Sequence, residues 1–340
     1  MTEKMNSKER FLNVINGVET DRVPIFPLLM SFSAKLAQVS YRQFATNGHV
    51  LAESQLKVLD LFEIDAITAC SDAFRISADL GGAIVFPEDK PPYLAVPLIR
   101  NEDDFNRLHR PDVSHAKGRM ADRVKGTDEM VRAAGSAYMV LGWVDMPFAE
   151  ACSLCGVSEF LLMLYDNPAL AHKILGFLTD LVIEFALAQL ETGAPMIGAG
   201  DAAASLISPG FFREFALPYE QRVCDAIHNA GGLVKLHICG NTSNILQDMV
   251  NSGADLFNID HMVSFSDALL VYGKADKAMK GNLDPVGDLL FSSPDECTMK
   301  IKHLKQQAKG YKYMLSPGCE VPAAVSNEVF AAFCAMSYNT

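Results

Sequence analysis

Eight short apolar runs, spaced by longer amphipathic stretches, constrain this chain more than any other feature. They are VPIFPLLM (23–30), IDAITAC (64–70), YMVLGWV (138–144), APMIGAG (194–200), GLVKLHIC (232–239), ADLFNID (254–260), KAMKGNL (277–283) and YKYMLSP (311–317). Helix-patterned segments lie between them at 47–63, 168–192, 209–230, 241–252, 294–308 and 326–338. Such alternation is the signature of parallel strands joined by crossover helices. Ser208-Pro209 and Ser293-Pro294 mark two helix starts, a capping hydroxyl followed by a proline whose missing N–H costs nothing at the first helical position. Eight units, and no glycine-rich phosphate loop after the first run, favour closure into a (β/α)8 TIM barrel over a doubly wound open sheet. The 340 residues, 49% of them hydrophobic, are enough to fill one such barrel, so residues 1–340 are expected to form a single domain. The stretch 71–136 is too long for one βα unit and is expected to fold as an insertion over the C-terminal mouth.

Charge and cysteine usage narrow the function. A net charge of −12 argues against nucleic-acid partners and anionic membrane surfaces, both of which demand a basic patch. The opening MTEKMNSKERFLNVING is charged and helix-patterned, unlike a secretory signal, and no run approaches the roughly 18 apolar residues of a membrane span. Eight cysteines thinly spread over a large chain are not a disulfide framework. A reduced, cytoplasmic protein is expected, in which a special cysteine is a metal ligand or a reactive thiol.

In a parallel barrel the chemistry gathers at the C-terminal strand ends. The fifth run ends in Lys235-Leu236-His237-Ile238-Cys239, and the period-two pleat puts Lys235, His237 and Cys239 on one face. The eighth ends in Ser316-Pro317-Gly318-Cys319, another soft ligand on the same rim. One histidine and two cysteines with a fourth position left open describe a catalytic zinc site, although iron or cobalt suits the same donors. Taken alone, an HxC pair on a strand is more often core packing; the distant Cys319 is what shifts the balance toward a metal. Cys152 and Cys155 form a lone CxxC better read as packing, and Cys70, Cys224, Cys297 and Cys334 as filler. Four acids stand at or just past strand ends: Asp72, Asp145, Asp201 and Asp260. Each is a candidate acid–base group, a support for a metal ligand or a helix cap. Of Asp260 and His261, only one can point inward, where it could fill or orient the fourth metal position.

These residues and their surroundings resemble the uroporphyrinogen decarboxylase superfamily, and within it the cobamide-dependent methyltransferase branch. The stretches that carry the resemblance are DRVPIFPLL (21–29), GWVDMPFAEACSL (142–154), GDAAASLISPGFFREFALPY (200–219), KLHICGNTSNILQDMVNSGAD (235–255), KGNLDP (280–285) and SPGCEVP (316–322). The methylcobamide:coenzyme M methyltransferases take zinc ligands from an HxCG and a distant PGC motif, which implies His237, Cys239 and Cys319 here. The implied reaction moves a methyl group from methylcobalamin, carried on a small corrinoid protein, to a small thiol. Asp145, Lys235 and Asn282 are then expected to face the corrinoid, and Asp201, Asp260 and His261 to serve as acid–base groups. Three departures leave the acceptor open between coenzyme M, another thiol and a folate. Lys235 stands where that branch has an apolar residue, His261 where it tends to have an acid, and GNLDP is decarboxylase-like. Lys235 is also a candidate partner for a sulfonate. The alternatives are porphyrinogen decarboxylation, against which PLLMSFSAK (27–35) replaces the decarboxylases' arginine-rich stretch, and corrinoid or tetrapyrrole binding without turnover.

Overall fold

A computed structural model describes residues 5–115 and 117–337. Its frame is a curled sheet of parallel strands in a mixed α/β architecture. In chain order the strands are β1 (Ala66–Thr68), β2 (Ile84–Val85), β3 (Tyr93–Leu94), β4 (Met139–Asp145), β5 (Met196–Gly200), β6 (Leu233–Ile238), β7 (Leu256–Ile259), β8 (Ala278–Leu283) and β9 (Tyr313–Pro317). Seven of them pair in the order β1-β4-β5-β6-β7-β8-β9, while β2 and β3 form a separate antiparallel pair. Helices cover the outer face, so these strands are buried on both sides and read as continuous apolar runs.

Seven of the eight expected runs therefore enter the sheet. The first, 23–30, makes two isolated parallel bridges to the last strand's end, Ile25 to Leu315 and Leu28 to Glu320. On its other side Asp65 N–H donates to the Ile25 carbonyl at 2.8 Å. Pro24 and Pro27 explain why no continuous ladder forms, since neither has an N–H to donate.

The concave side is layered. Phe26, Ala66, Met139, Leu141, Met196, Leu256, Ala278 and Met314 pack together with Phe11 at the N-terminal end. Because side chains alternate, the residues two positions further along point to the same side: Thr68, Trp143, Gly198, Asn258, Lys280 and Ser316, with Lys235 following the half-buried Leu233. The interior thus passes from an apolar floor to a polar middle and then to the strand ends. Gly198 makes this possible. A Cβ there would meet Trp143 Cε3 at 2.5 Å, so only glycine lets the indole cross the interior.

The stretch 71–136 differs from expectation at its far end. It holds a short helix Arg75–Asp79, the β2–β3 pair and helix Glu102–Asn106, but also helix Arg119–Ala134, which leads directly into β4. Gly126 of that helix lies so close to Gly48 of helix Gly48–Leu61 that a Cβ would sit 2.6 Å from the Gly48 carbonyl oxygen. Such close packing makes Arg119–Ala134 an ordinary crossover helix, so only 71–118 stands outside the strand–helix alternation. The Ser208 and Ser293 side chains cap their helices, accepting from Phe211 N–H and Glu296 N–H. Among the described residues no single helix is long and apolar enough to cross a membrane.

Candidate metal centre

β6 delivers His237 at its inward-facing end, and Cys239 follows one pleat beyond. Cys319 arrives from the loop after β9, and glycine controls how. A Cβ at Gly318 would fall 2.4 Å from the backbone nitrogen of His261, so the PGC turn can lie against the Asp260–His261 peptide only without a side chain. Gly318 N–H donates to the Leu283 carbonyl at 2.8 Å, and Asn258 Nδ2 donates to the Gly318 carbonyl at 3.3 Å, pinning the loop from two strands. One ligand atom from each of His237, Cys239 and Cys319 lies within 4.8 Å of the others. His237 Nε2 is 3.6 Å from Cys319 Sγ. The donor set of one imidazole and two thiols fits a soft or borderline divalent ion.

The imidazole is oriented by its other nitrogen. Nδ1 lies 3.1 Å from the backbone carbonyl of Asn258, which can only accept, so Nδ1 carries the hydrogen and Nε2 presents its lone pair to the cysteines. The thiols are coupled. A hydrogen bond from Cys239 draws Cys319 well below the usual thiol range, aided by His237, and the same bond pushes Cys239 up.

Asp260 is buried and close enough to Cys239 to raise that thiol further; it accepts from Met262 N–H at 3.0 Å, and the half-exposed His261 approaches it through Nδ1 at 3.0 Å. Asn282 is committed to the same loop, its Nδ2 donating to the carbonyls of Asp260 (3.2 Å) and Val263 (2.8 Å). Asp201 lies behind β6 rather than among the three ligands. Its backbone N–H donates to the His237 carbonyl, and its fully buried carboxyl is coupled to Glu220, with burial lifting Asp201 to about 7 and Glu220 further. Asp145 is bound by the guanidinium of Arg75, yet burial raises it to about 6. Asp72 pairs with Arg119 at 2.8 Å, which outweighs burial and holds it low. Lys235 is fully buried, with its Nζ 4.5 Å from the centre of the Trp143 ring; burial lowers it to about 8.

Four residues at or behind the centre escaped the sequence reading. Arg75 comes from the irregular stretch 71–118 and carries no local signal. Glu150 is buried beside Asp145 and Glu220 beside Asp201, each on the inner face of a helix. Asn258 was accessible to reasoning, for it stands one pleat before Asp260. Cys152 and Cys155 are buried on helix Pro147–Cys155, as packing requires. A cavity of about 1050 Å³, lined by Val18, Lys302, Lys309 and Tyr311, lies at the opposite end of the strands.

The family model described as "Uroporphyrinogen decarboxylase (URO-D)" matches residues 6–339. A uroporphyrinogen decarboxylase of Xanthomonas euvesicatoria pv. vesicatoria is 28% identical over 324 residues, covering 90% of this chain and 89% of its own. One from Hydrogenovibrio crunogenus is 26% identical over 357 residues, covering 98% and 96%. Among solved structures, a methyltransferase from Methanosarcina mazei superposes with a TM-score of 0.89 at 21% identity, covering 98% of both chains. A B12-independent methionine synthase from Shewanella sp. W3-18-1 gives 0.57 at 14% identity over 86% of both. These likenesses establish the fold.

Proposed function

The chain belongs to the uroporphyrinogen decarboxylase family, and on that premise we propose that it is a zinc-dependent methyltransferase. It would carry a methyl group from methylcobalamin, held on a small corrinoid protein, to a thiol such as coenzyme M. The observation that carries this reading is the convergence of His237, Cys239 and Cys319 at the strand ends. We read the frame as a closed eight-stave barrel forming one domain, with 23–30 as the eighth stave through its bridges to Leu315 and Glu320 and its bond from Asp65. A cytoplasmic location fits free cysteines throughout the described residues.

Bound there, zinc would supply the Lewis acidity that keeps an incoming thiol deprotonated at neutral pH. The chain's own residues do the rest. Cys239 and Cys319 as thiolates would balance the two charges of a bound ion, so that an acceptor thiolate would stay electron-rich. His237, fixed through Nδ1, would complete the donor set that holds the ion. Asp260, beside Cys239, is the carboxylate placed to take the thiol's proton. The thiolate sulfur then attacks the methyl carbon; the S–C bond forms as the C–Co bond breaks, and both electrons stay on cobalt. The rim that would meet the corrinoid protein carries exposed Leu206, Met262, Val286 and Phe291, all in the segments that follow the ends of β5, β7 and β8.

The names of the curated relatives favour a second reading, decarboxylation of a porphyrinogen. The cations near the mouth count against it. Arg75 and Arg119 are already held by Asp145 and Asp72, and a substrate with many carboxylates would have to compete for them. The test is metal content and methylcobalamin demethylation in wild type and His237→Ala. About one zinc per chain and thiol-dependent demethylation, both lost in the variant, support methyl transfer. No metal in wild type, or metal-independent loss of carboxyl groups from a porphyrinogen, would overturn it.

A further inference from the structure

Four lysines at the N-terminal end of the strands share one task. Lys8 Nζ donates to the Gly135 carbonyl at 2.9 Å, Lys277 to Gly253 at 3.1 Å, Lys305 to Met336 at 2.7 Å and Lys312 to Asp276 at 3.0 Å. Each acceptor caps a helix or stands one residue past its cap. Carbonyls left over at helix C-termini gather negative partial charge, so an ammonium belongs there. Lys302 and Lys309 do not fit this pattern. Both are exposed, and among the described residues neither has a hydrogen bond or an ion pair. Lys302 lies in helix Pro294–Gln307 and Lys309 just past its end, and both line the cavity of about 1050 Å³.

That cavity is a cleft of mixed character. Lys302, Lys305, Lys309 and Lys312 face two acids, Glu19 and Asp276, and Asp276 is already paired with Lys312 at 2.9 Å. Such a local excess of positive charge, in a chain whose net charge is −12, attracts an anion. Val18 and Tyr311 add exposed apolar and aromatic surface, 52% and 38% accessible, so the cleft opens to solvent. Two glycines hold its walls in place. A Cβ at Gly273 would meet Tyr311 Cε1 at 2.5 Å, so the ring is seated directly on the backbone there, and a Cβ at Gly17 would meet Lys312 Cε at 2.9 Å. The volume is that of a small-molecule site, about 300–1,000 Å³, and far exceeds what one phosphate needs. The cations also say which anion. Lysine serves phosphate as a point charge, whereas bidentate recognition of a carboxylate calls for arginine, and no arginine lines the cleft among the described residues.

We propose that this cleft is a binding site for a nucleoside di- or triphosphate, with the phosphate chain against Lys302 and Lys309 and the base against Val18 and Tyr311. The two lysines stand about 10 Å apart along the helix axis, a separation that suits linked phosphates better than a single one. The site lies at the end of the strands away from His237, Cys239 and Cys319 and takes nothing from the methyl-transfer reading.

The experiment is calorimetric titration of the full chain at low salt with ATP, GTP, CTP and UTP in turn, then with inorganic triphosphate, the matching nucleoside and a single-stranded oligonucleotide. At least one nucleotide should bind at least tenfold more tightly than triphosphate or its own nucleoside, a comparison within wild type that needs no variant. Replacing both lysines, Lys302→Gln with Lys309→Gln, should weaken that nucleotide at least tenfold. Tyr311→Ala should weaken it while leaving triphosphate unchanged, and His237→Ala should leave it as in wild type. The proposal is overturned if none of the four nucleotides binds, or if binding survives loss of both lysines. It is overturned equally if His237→Ala abolishes binding, which would put the nucleotide at the other end of the strands. Tighter binding of the oligonucleotide than of any mononucleotide would also overturn it, making the cleft part of a nucleic-acid surface.

Discussion

The two ends of the strands solve opposite problems with the same kinds of residue. At the N-terminal end Asp65 takes four hydrogen bonds, from Arg10 at 2.7 Å, from Arg22 at 2.7 and 3.0 Å, and from Ile25 N–H at 2.7 Å, above a floor of packed apolar side chains. At the C-terminal end the buried groups are under-supplied: Lys235 Nζ, Arg75 Nε, Glu150 Oε2 and Asn258 Oδ1 have no hydrogen-bond partner among the described residues. Saturated polar groups hold a fold in one state, whereas unsaturated ones wait for something outside the chain. The difference teaches that, among the buried groups, stability is concentrated below and binding capacity above.

Three substitutions can break or sharpen that contrast. Asp65→Asn should have the largest effect on folding, because it removes the buried carboxylate that Arg10 and Arg22 share, although Arg10 keeps its pairing with Asp21. A loss of about 3–5 kcal/mol is expected in urea unfolding, with zinc bound per folded chain unchanged. Lost metal affinity in that variant would mean that the two ends are not separable. Asn258→Ala should do the reverse. It releases the Gly318 carbonyl while keeping the backbone oxygen that orients His237, so zinc affinity should fall about 10–100-fold by competition with a chelator, with little change in stability. Undiminished affinity would remove Asn258 from the support of Cys319.

The smallest effect is a pH dependence. Burial lifts Asp201 to about 7 and Glu220 higher, so the folded chain keeps protons that the unfolded chain releases near pH 4. Stability that is complete below about pH 4 must then decline as pH rises toward 7. Glu220→Gln removes one ionisation, and its unfolding free energy should fall less than that of wild type between pH 5 and 8, by on the order of 1–2 kcal/mol. Parallel curves would show that the pair does not share a buried proton.

What could be read from sequence follows the period of the strand. His237 and Cys239 were legible as neighbours because two residues along a strand is one pleat, and Gly318 and Cys319 because they close the last apolar run. The pairing of Arg75 with Asp145 was not, since 70 residues and an irregular stretch separate them. Glu220 meets Asp201 across a helix face whose partner no local pattern names. The prolines at 24 and 27 were visible from the start, and they are what reduces the first run to isolated bridges. Gly48 and Gly126, spaced far apart in sequence, gave no warning that helix Arg119–Ala134 packs as a regular crossover.

The most direct test of the central claim is the zinc-edge X-ray absorption spectrum of the metal-loaded protein, recorded before and after adding 2-mercaptoethanesulfonate. Cys239 and Cys319 predict two sulfur neighbours at about 2.3 Å beforehand and three afterwards, as the acceptor enters the open position. A protein that retains no zinc, or whose sulfur count does not change when the thiol binds, would contradict a centre built to activate thiols.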